Sequence, residues 1–81
     1  MKIFATNKFS AEAHKLSTSQ KRTLIDFLRG AEQKERVQDL PGYISCHDDV
    51  YAYRAANLRI FAMFEETRNI VILLDITVPT W

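Results

Sequence analysis

At 81 residues, the chain is long enough for one domain with one hydrophobic core. Its net charge of +1 argues against strong, indiscriminate nucleic-acid binding, because there is little net positive field to attract phosphates. With 47% hydrophobic and 26% charged residues, it has the composition of a soluble globular protein, and neither a membrane span nor a signal peptide is expected. The single cysteine excludes an internal disulfide and fits a reducing, cytoplasmic compartment.

The first half of the chain predicts a short strand followed by two helices. Residues 2–6 form an apolar stretch that could add an edge strand to a sheet. A first helix is predicted over 11–16 with Ser10 as its N-cap. A second is predicted over about 20–28, and any of Ser17, Thr18 and Ser19 could cap it. Gly30 either ends this second helix or is a weak point from which the helix resumes through 31–33. Apolar residues recur at helical spacing in the second helix, so one side of it is expected to cover a sheet.

Most of the apolar mass lies in residues 49–78, which predict three consecutive antiparallel strands. Apolar and polar residues alternate there, and β-branched and aromatic residues are frequent. A further short strand is predicted over 43–46, after the Pro41-Gly42 turn. The order strand, helix, helix and then strands predicts an α+β fold. Its two layers would be an antiparallel sheet of three to five strands and an N-terminal helical hairpin packed on one face.

The turn lengths suggest a register. A tight turn at residues 56–57 sets Arg54 opposite Arg59, and a five-residue second turn sets Arg59 opposite Asp75. One face is then almost wholly apolar and is predicted to be the core, while the other is predicted to be at least partly open. A shift by one residue would exchange the two faces. The predicted core face carries Tyr51, Tyr53, Leu58, Ile60, Ala62, Phe64, Ile70, Ile72, Leu74 and Ile76. The predicted open face carries Val50, Ala52, Arg54, Arg59, Phe61, Met63, Val71, Leu73, Asp75 and Thr77.

Arg54 and Arg59 give the strongest functional signal. Two guanidinium groups opposite each other on neighbouring strands repel unless an anion lies between them, and a phosphate would serve. The two arginines are therefore candidate catalytic residues of a phosphate-binding or phosphodiester-cleaving face. The alternative is that Asp75 neutralises Arg59 in a structural ion pair.

An apolar strip on the predicted open face is a candidate partner-binding surface. A monomer would not leave such a strip bare, so it implies a partner helix, a partner strand or a homodimer contact; the alternative is a third layer of this chain. The candidate partner-binding residues are Phe61, Met63, Val71, Leu73 and Trp81.

Neither a metal site nor a cofactor is predicted. His47, Asp48 and Asp49 follow one another on a bend, where consecutive side chains rarely converge on one ion, and no second His or Cys cluster supplies further ligands. His47 as a general base in RNA cleavage is an alternative. Cys46 is expected to be a small buried residue rather than a nucleophile.

The stretch VYAYRAANLRIFAMFEETRNIVILLDI follows a strand, a helical hairpin and a Leu-Pro-Gly turn, and this arrangement is similar to the RelE/ParE toxin superfamily, including its HigB-like branch. Its most specific part is an arginine closing one strand, a short turn and an arginine opening the next. The resemblance implies that residues 1–81 form one RelE/ParE-like domain of a bacterial type II toxin–antitoxin system, wrapped and neutralised by an antitoxin. RelE-like members cleave mRNA on the ribosome, whereas ParE-like members inhibit DNA gyrase without nuclease chemistry.

By this resemblance, Arg59 matches the arginine that contacts the scissile phosphate, and Arg54 matches a commonly retained arginine on the preceding strand. The chain departs from the RelE-type pattern at Val50 and Ala52, where those nucleases place lysines. Asp75 adds negative charge, and a basic C-terminal segment is missing after residue 78. Losing these cations is expected to lower a nuclease rate by orders of magnitude. Two functions stay open: a toxin acting on ribosome-bound mRNA or another bacterial target, and a catalytically inactive immunity or decoy protein acting only through protein–protein contact.

Overall fold

A computed structural model describes residues 1–79 of the chain. Five strands form one sheet in the order β1-β5-β4-β3-β2, and neighbouring strands are antiparallel except for the parallel pair β1 and β5. The predicted α+β fold, with a helical hairpin packed on one face, is confirmed. The elements are β1 Lys2–Ala5, α1 Asn7–His14, α2 Thr18–Glu32, a short 3-10 helix Val37–Asp39, β2 Tyr43–His47, β3 Val50–Ala55, β4 Leu58–Glu65 and β5 Ile70–Thr77.

Both helices begin earlier than predicted; the cap of α1 lies upstream of Ser10, whereas the cap of α2 is the first of its three predicted candidates. The Thr6 side chain accepts a hydrogen bond from the backbone N–H of Phe9 at 3.1 Å and starts α1, so Ser10 lies inside the helix. Ser17 caps α2 in a capping box: its hydroxyl accepts from the N–H of Gln20, whose side chain accepts from the N–H of Ser17. This reciprocal pair satisfies two N–H groups that would otherwise lack a partner.

Gly30 does not end α2, which continues to Glu32. Pro41 lies directly against it, since a Cβ added at Gly30 would come within 3.0 Å of the Pro41 Cγ. The glycine therefore permits close approach of the loop that leads to β2.

The hydrophobic core lies between the helices and the sheet, and Tyr53 is its largest fully buried side chain. The Tyr53 hydroxyl donates a hydrogen bond of 2.7 Å to the carbonyl oxygen of Val37, and its ring packs on Phe27 with centroids 5.6 Å apart. Burial raises the pKa of Tyr53 well above its ordinary value. The core consists of Phe9, Leu24, Phe27, Ala31, Val37, Leu40, Tyr53, Leu58, Ile60, Ala62, Val71, Leu73 and Ile76.

The predicted register is right for β3 with β4 and wrong for β4 with β5. Arg54 lies opposite Arg59, as the tight turn requires. In the second hairpin Glu65 lies opposite Ile70, so the loop has four residues rather than five. The Glu65 carboxylate accepts hydrogen bonds from the backbone N–H and the Nε of Arg68, which tightens the loop and lowers the pKa of Glu65.

This one-residue difference exchanges the faces in the first half of β5. Val71 and Leu73, predicted to lie in the exposed apolar strip, are core residues with 0% and 1% of their surface exposed. Their assignment to a partner-binding surface is therefore wrong. Ile72, predicted to lie on the core face, lies instead on the open face. The open face is the side of the sheet opposite the helices.

A β-bulge restores the alternation in the second half of β5. Ala62 pairs with Leu73 and Phe61 pairs with Asp75, which leaves Leu74 as the extra residue. After the bulge Ile76 returns to the core and Asp75 lies on the open face, because the inserted residue shifts the alternation by one.

Candidate functional site

The two arginines lie on the open face at the turn that joins β3 to β4. They are register partners, so their side chains leave the sheet on the same side. The turn has two residues, and Ala56 rather than Asn57 takes the positive φ, 52°. The Ala56 carbonyl oxygen accepts a hydrogen bond of 3.3 Å from the Arg54 Nε. This bond ties the exposed Arg54 side chain to its own turn.

The Pro41-Gly42 turn fixes the backbone of Arg54. The N–H of Arg54 donates to the carbonyl oxygen of Gly42 at 2.7 Å. Gly42 has φ 74°, and a Cβ there would clash with the carbonyl oxygen of Arg54, so only glycine fits. The turn residues found in the sequence therefore position one of the two arginines.

Arg59 is half-buried, and its Nε atom is buried. Its partner on β5 is Thr77, and the prediction that places it opposite Asp75 is wrong. Asp75 lies two residues away along β5, on the same face. The open face therefore carries the two arginines side by side, with one carboxylate diagonally across from Arg59.

Asp75 makes two contacts of its own. Its Oδ2 atom accepts a hydrogen bond from the Lys8 Nζ at 3.3 Å, and its Oδ1 atom accepts one from the backbone N–H of Ile76 at 2.9 Å. Lys8 belongs to α1 and is 67 residues away from Asp75 in sequence, so no spacing pattern could predict its position at this site. Its position depends on the Thr6 cap, because Thr6 is hydrogen-bonded to the backbone of Leu73 and Leu74.

Two open cavities adjoin the Lys8–Asp75 pair, one of about 470 Å³ and one of about 600 Å³. The larger of these two, which we call the groove, is mainly apolar and is lined by Thr6, Lys8, Val50, Phe61, Leu74 and Asp75. The groove thus places a charged pair at the margin of an apolar surface.

An apolar row crosses three strands of the open face. Phe4 of β1 lies opposite Ile72 of β5, and Ile72 lies opposite Met63 of β4. Phe4 is 65% exposed and Met63 is 42% exposed. We call Phe4, Met63 and Ile72, together with the neighbouring Phe61, the open-face strip. The predictions for Phe61 and Met63 place them correctly on this face, whereas Trp81 lies outside the described residues.

The other candidate side chains do not converge. His47 lies 3.4 Å from Asp48, and both side chains are about 90% exposed. Within residues 1–79, no group of three His, Cys, Asp or Glu side chains could hold a metal ion. Cys46 is exposed on the edge strand β2, so the expectation of a buried cysteine is wrong.

Comparison with solved structures identifies the architecture. The RelBE2 toxin–antitoxin complex from Mycobacterium tuberculosis matches with a TM-score of 0.79 and 14% identity, covering 96% of this chain and 96% of that chain. The isolated E. coli RelE toxin matches with a TM-score of 0.77 and 12% identity, covering 99% of this chain and 85% of that chain. The intact E. coli RelBE complex matches with a TM-score of 0.74 and 13% identity, covering 99% and 98%.

The chain has a RelE-like fold. Neither a protein-family model nor a curated protein matches its sequence. At identities of 11–14%, the likeness establishes the RelE-like fold and transfers no residue role. Among residues 1–79, no helix is both long enough and apolar enough to span a membrane.

Proposed function

We propose that this protein is the toxin of a toxin–antitoxin pair, that it acts on RNA through Arg54 and Arg59, and that a cognate antitoxin neutralises it by binding the open face. The observation that carries the proposal is the side-by-side placement of the two arginines on one face of a RelE-like sheet.

The chemistry of phosphodiester cleavage explains why two arginines would be needed. Negative charge develops on the phosphate oxygens in the transition state, and fixed guanidinium donors stabilise that charge without reorganising. Arg54 is held by its turn and Arg59 by partial burial, so both donors are oriented before a substrate arrives. Recognition then depends on local charge, which agrees with an overall charge of only +1.

The antitoxin part of the proposal rests on the open-face strip and on the fold comparison. Exposed, contiguous apolar side chains of this kind mark protein–protein contact sites. Several structures with the same fold are toxin–antitoxin complexes. A partner that covers Phe4 and Met63 would also reach across the sheet toward Arg59, so binding and neutralisation would use one surface.

Induced expression of the chain alone in a bacterium tests this proposal. The wild type is expected to arrest growth, and Arg59→Ala is expected to restore it, because loss of one charge-stabilising donor lowers a rate about 10²–10³-fold. Arg68→Ala is the matched control: this exposed arginine in the β4–β5 loop pairs with Glu65, and its loss should leave growth arrest intact.

Mapping RNA ends in the arrested cells separates the modes of action. New ends within open reading frames would support action on RNA. Growth arrest with intact RNA and altered DNA topology would contradict the RNA target while keeping the toxin assignment. Normal growth at expression levels that match those of the Arg59→Ala variant would contradict the toxin assignment itself.

A second candidate function, a catalytically inactive immunity or decoy protein, is favoured by Val50 and Ala52. These small apolar side chains occupy the part of β3 that faces the groove and the arginines, so β3 supplies a single cation, Arg54, to this face. Under this alternative, the chain would protect cells against the protein that it binds and would cause no arrest when expressed alone.

A further inference from the structure

We infer that Asp75 is a general base for RNA cleavage on the open face, accepting the proton of the ribose 2′-hydroxyl next to the scissile phosphate. The inference rests on the proposed action on RNA. It names the side chain that performs the proton transfer, which the two arginines cannot perform because they stay protonated.

The β5 bulge is the first observation. Without the extra residue Leu74, strict alternation after Val71 and Leu73 would turn Asp75 into the core. The bulge places the carboxylate on the open face and returns Ile76 to the core. Bulges that re-aim a single side chain are frequent beside active sites, and here the re-aimed group is the one acidic side chain that β5 contributes.

The second observation is that the carboxylate is held in place and still accessible. Lys8 and the N–H of Ile76 each contact a different carboxylate oxygen, which fixes the side chain in one orientation. Its side chain keeps 30% of its surface exposed toward the groove. A carboxylate oxygen accepts more than one hydrogen bond, so each contacted oxygen retains capacity for a hydroxyl proton.

The third observation is the spacing from the arginines. Arg59 lies opposite Thr77 and Asp75 lies opposite Phe61, so Arg59 and Asp75 are diagonal neighbours on one face. Diagonal neighbours on two adjacent strands are roughly 7–8 Å apart, within reach of long side chains. A phosphate held by Arg59 would have its neighbouring ribose over Phe61, and the ribose hydroxyl would then lie near Asp75.

The resulting step balances without any further reagent. Asp75 takes the 2′-hydroxyl proton, the 2′-oxygen forms a bond to phosphorus, and the bond from phosphorus to the 5′-oxygen breaks. The 5′-oxygen leaves with the electron pair and takes a proton from water, while Asp75 returns its proton to solvent. Arg54 and Arg59 stabilise the charge on the phosphate oxygens. The products are a 2′,3′-cyclic phosphate and a 5′-hydroxyl end.

The test uses the full chain and a 5′-labelled mRNA presented both free and on bacterial ribosomes. Under single-turnover conditions, Asp75→Asn is expected to lower the cleavage rate about 10²–10⁴-fold, the usual contribution of a general base. The rate of the wild type is expected to rise with pH over the acidic range, and the residual rate of Asp75→Asn is expected to be flat there. The wild-type product should carry a 2′,3′-cyclic phosphate.

Two further variants separate proton transfer from structure. Lys8→Met breaks the ion pair but keeps the carboxylate, so it should lose much less activity than Asp75→Asn and keep the acidic limb of the pH profile. Asp39→Asn is the matched control: it removes an exposed carboxylate from a surface ion pair with Arg36, and cleavage should be unchanged. Asparagine keeps the oxygen that accepts the Ile76 N–H, so Asp75→Asn preserves that contact.

Each result decides the matter. Cleavage by Asp75→Asn within about threefold of the wild type, or equal losses in Asp75→Asn and Lys8→Met, would overturn the assignment of Asp75 while the proposed action on RNA stands. If neither free nor ribosome-bound mRNA is cut, both the base and the action on RNA are overturned. Growth arrest that still requires Arg59 would then retain the toxin assignment.

Discussion

At the scale of single residues, the Tyr53 hydroxyl shows how the core accommodates a polar atom. Its hydrogen bond to the Val37 carbonyl oxygen is formed in the interior, where an acceptor without a donor is costly. Tyr53→Phe is therefore expected to lower the free energy of unfolding by about 1–3 kcal/mol, measured by chemical denaturation. Tyr43→Phe, at a 39% exposed position, is the control and should change it little. Equal effects of the two substitutions would contradict this account.

The same variant gives a pH readout. Because burial raises the pKa of Tyr53, the folded state favours its neutral form. That contribution to stability is complete below the unfolded-state pKa of about 10 and is lost as pH rises beyond it. The wild type is thus expected to lose stability more steeply than Tyr53→Phe above about pH 10. Parallel curves would show that the hydroxyl is not shielded from solvent.

At the scale of elements, the bulge changes which residues of β5 face the core. Odd-numbered residues face it in the first half of the strand, and even-numbered residues face it in the second half. Leu73→Ala is expected to lower the free energy of unfolding by about 2–5 kcal/mol, since it opens a cavity in a fully buried site. Ile72→Ala, one residue earlier on the open face, should cost clearly less, because its side chain is only half-buried. Denaturant titration of both variants checks the register. A larger loss of unfolding free energy in Ile72→Ala than in Leu73→Ala would support the register with a five-residue loop instead.

The sequence was sufficient for the element order and for the first hairpin, because alternation and a two-residue turn allow one pairing. It was insufficient for β5. The two alternating sets of residues in this strand are both apolar, namely Ile70, Ile72 and Leu74 on one side and Val71 and Leu73 on the other. Either set could therefore face the core. The loop length that decides between them depends on the Glu65–Arg68 contacts, and nothing in the residue types marks the bulge at Leu74. The contact between Lys8 and Asp75 could not be predicted either, because it depends on where α1 lies in three dimensions.

At the scale of the whole molecule, the open-face strip and the arginines share one side of the sheet, while the helices occupy the other. The double variant Phe4→Ser with Met63→Ser is expected to keep its melting temperature within a few degrees, because both side chains are exposed. Under the proposed toxin function, it should nevertheless escape neutralisation when the product of a neighbouring reading frame is co-expressed as antitoxin. Growth and co-purification measure this escape.

Ile25→Ser provides the matched control, since Ile25 is 48% exposed but belongs to α2 on the opposite side of the molecule. It should remain neutralised and co-purify normally. Full protection of cells carrying the double variant would show that the partner binds elsewhere.

The parallel pairing of β1 with β5 also governs the order of events during synthesis. Lys2 lies opposite Ile70, so β1 cannot pair until β5 has been synthesised. Contacts this distant in sequence form late. Until β5 has emerged from the ribosome, Lys8 cannot pair with Asp75, and the sheet lacks the strand that lies between β1 and β4. The row of Phe4, Ile72 and Met63 and the Lys8–Asp75 pair can therefore form only after β5 has been synthesised, so the open face is the last part of the molecule to be completed.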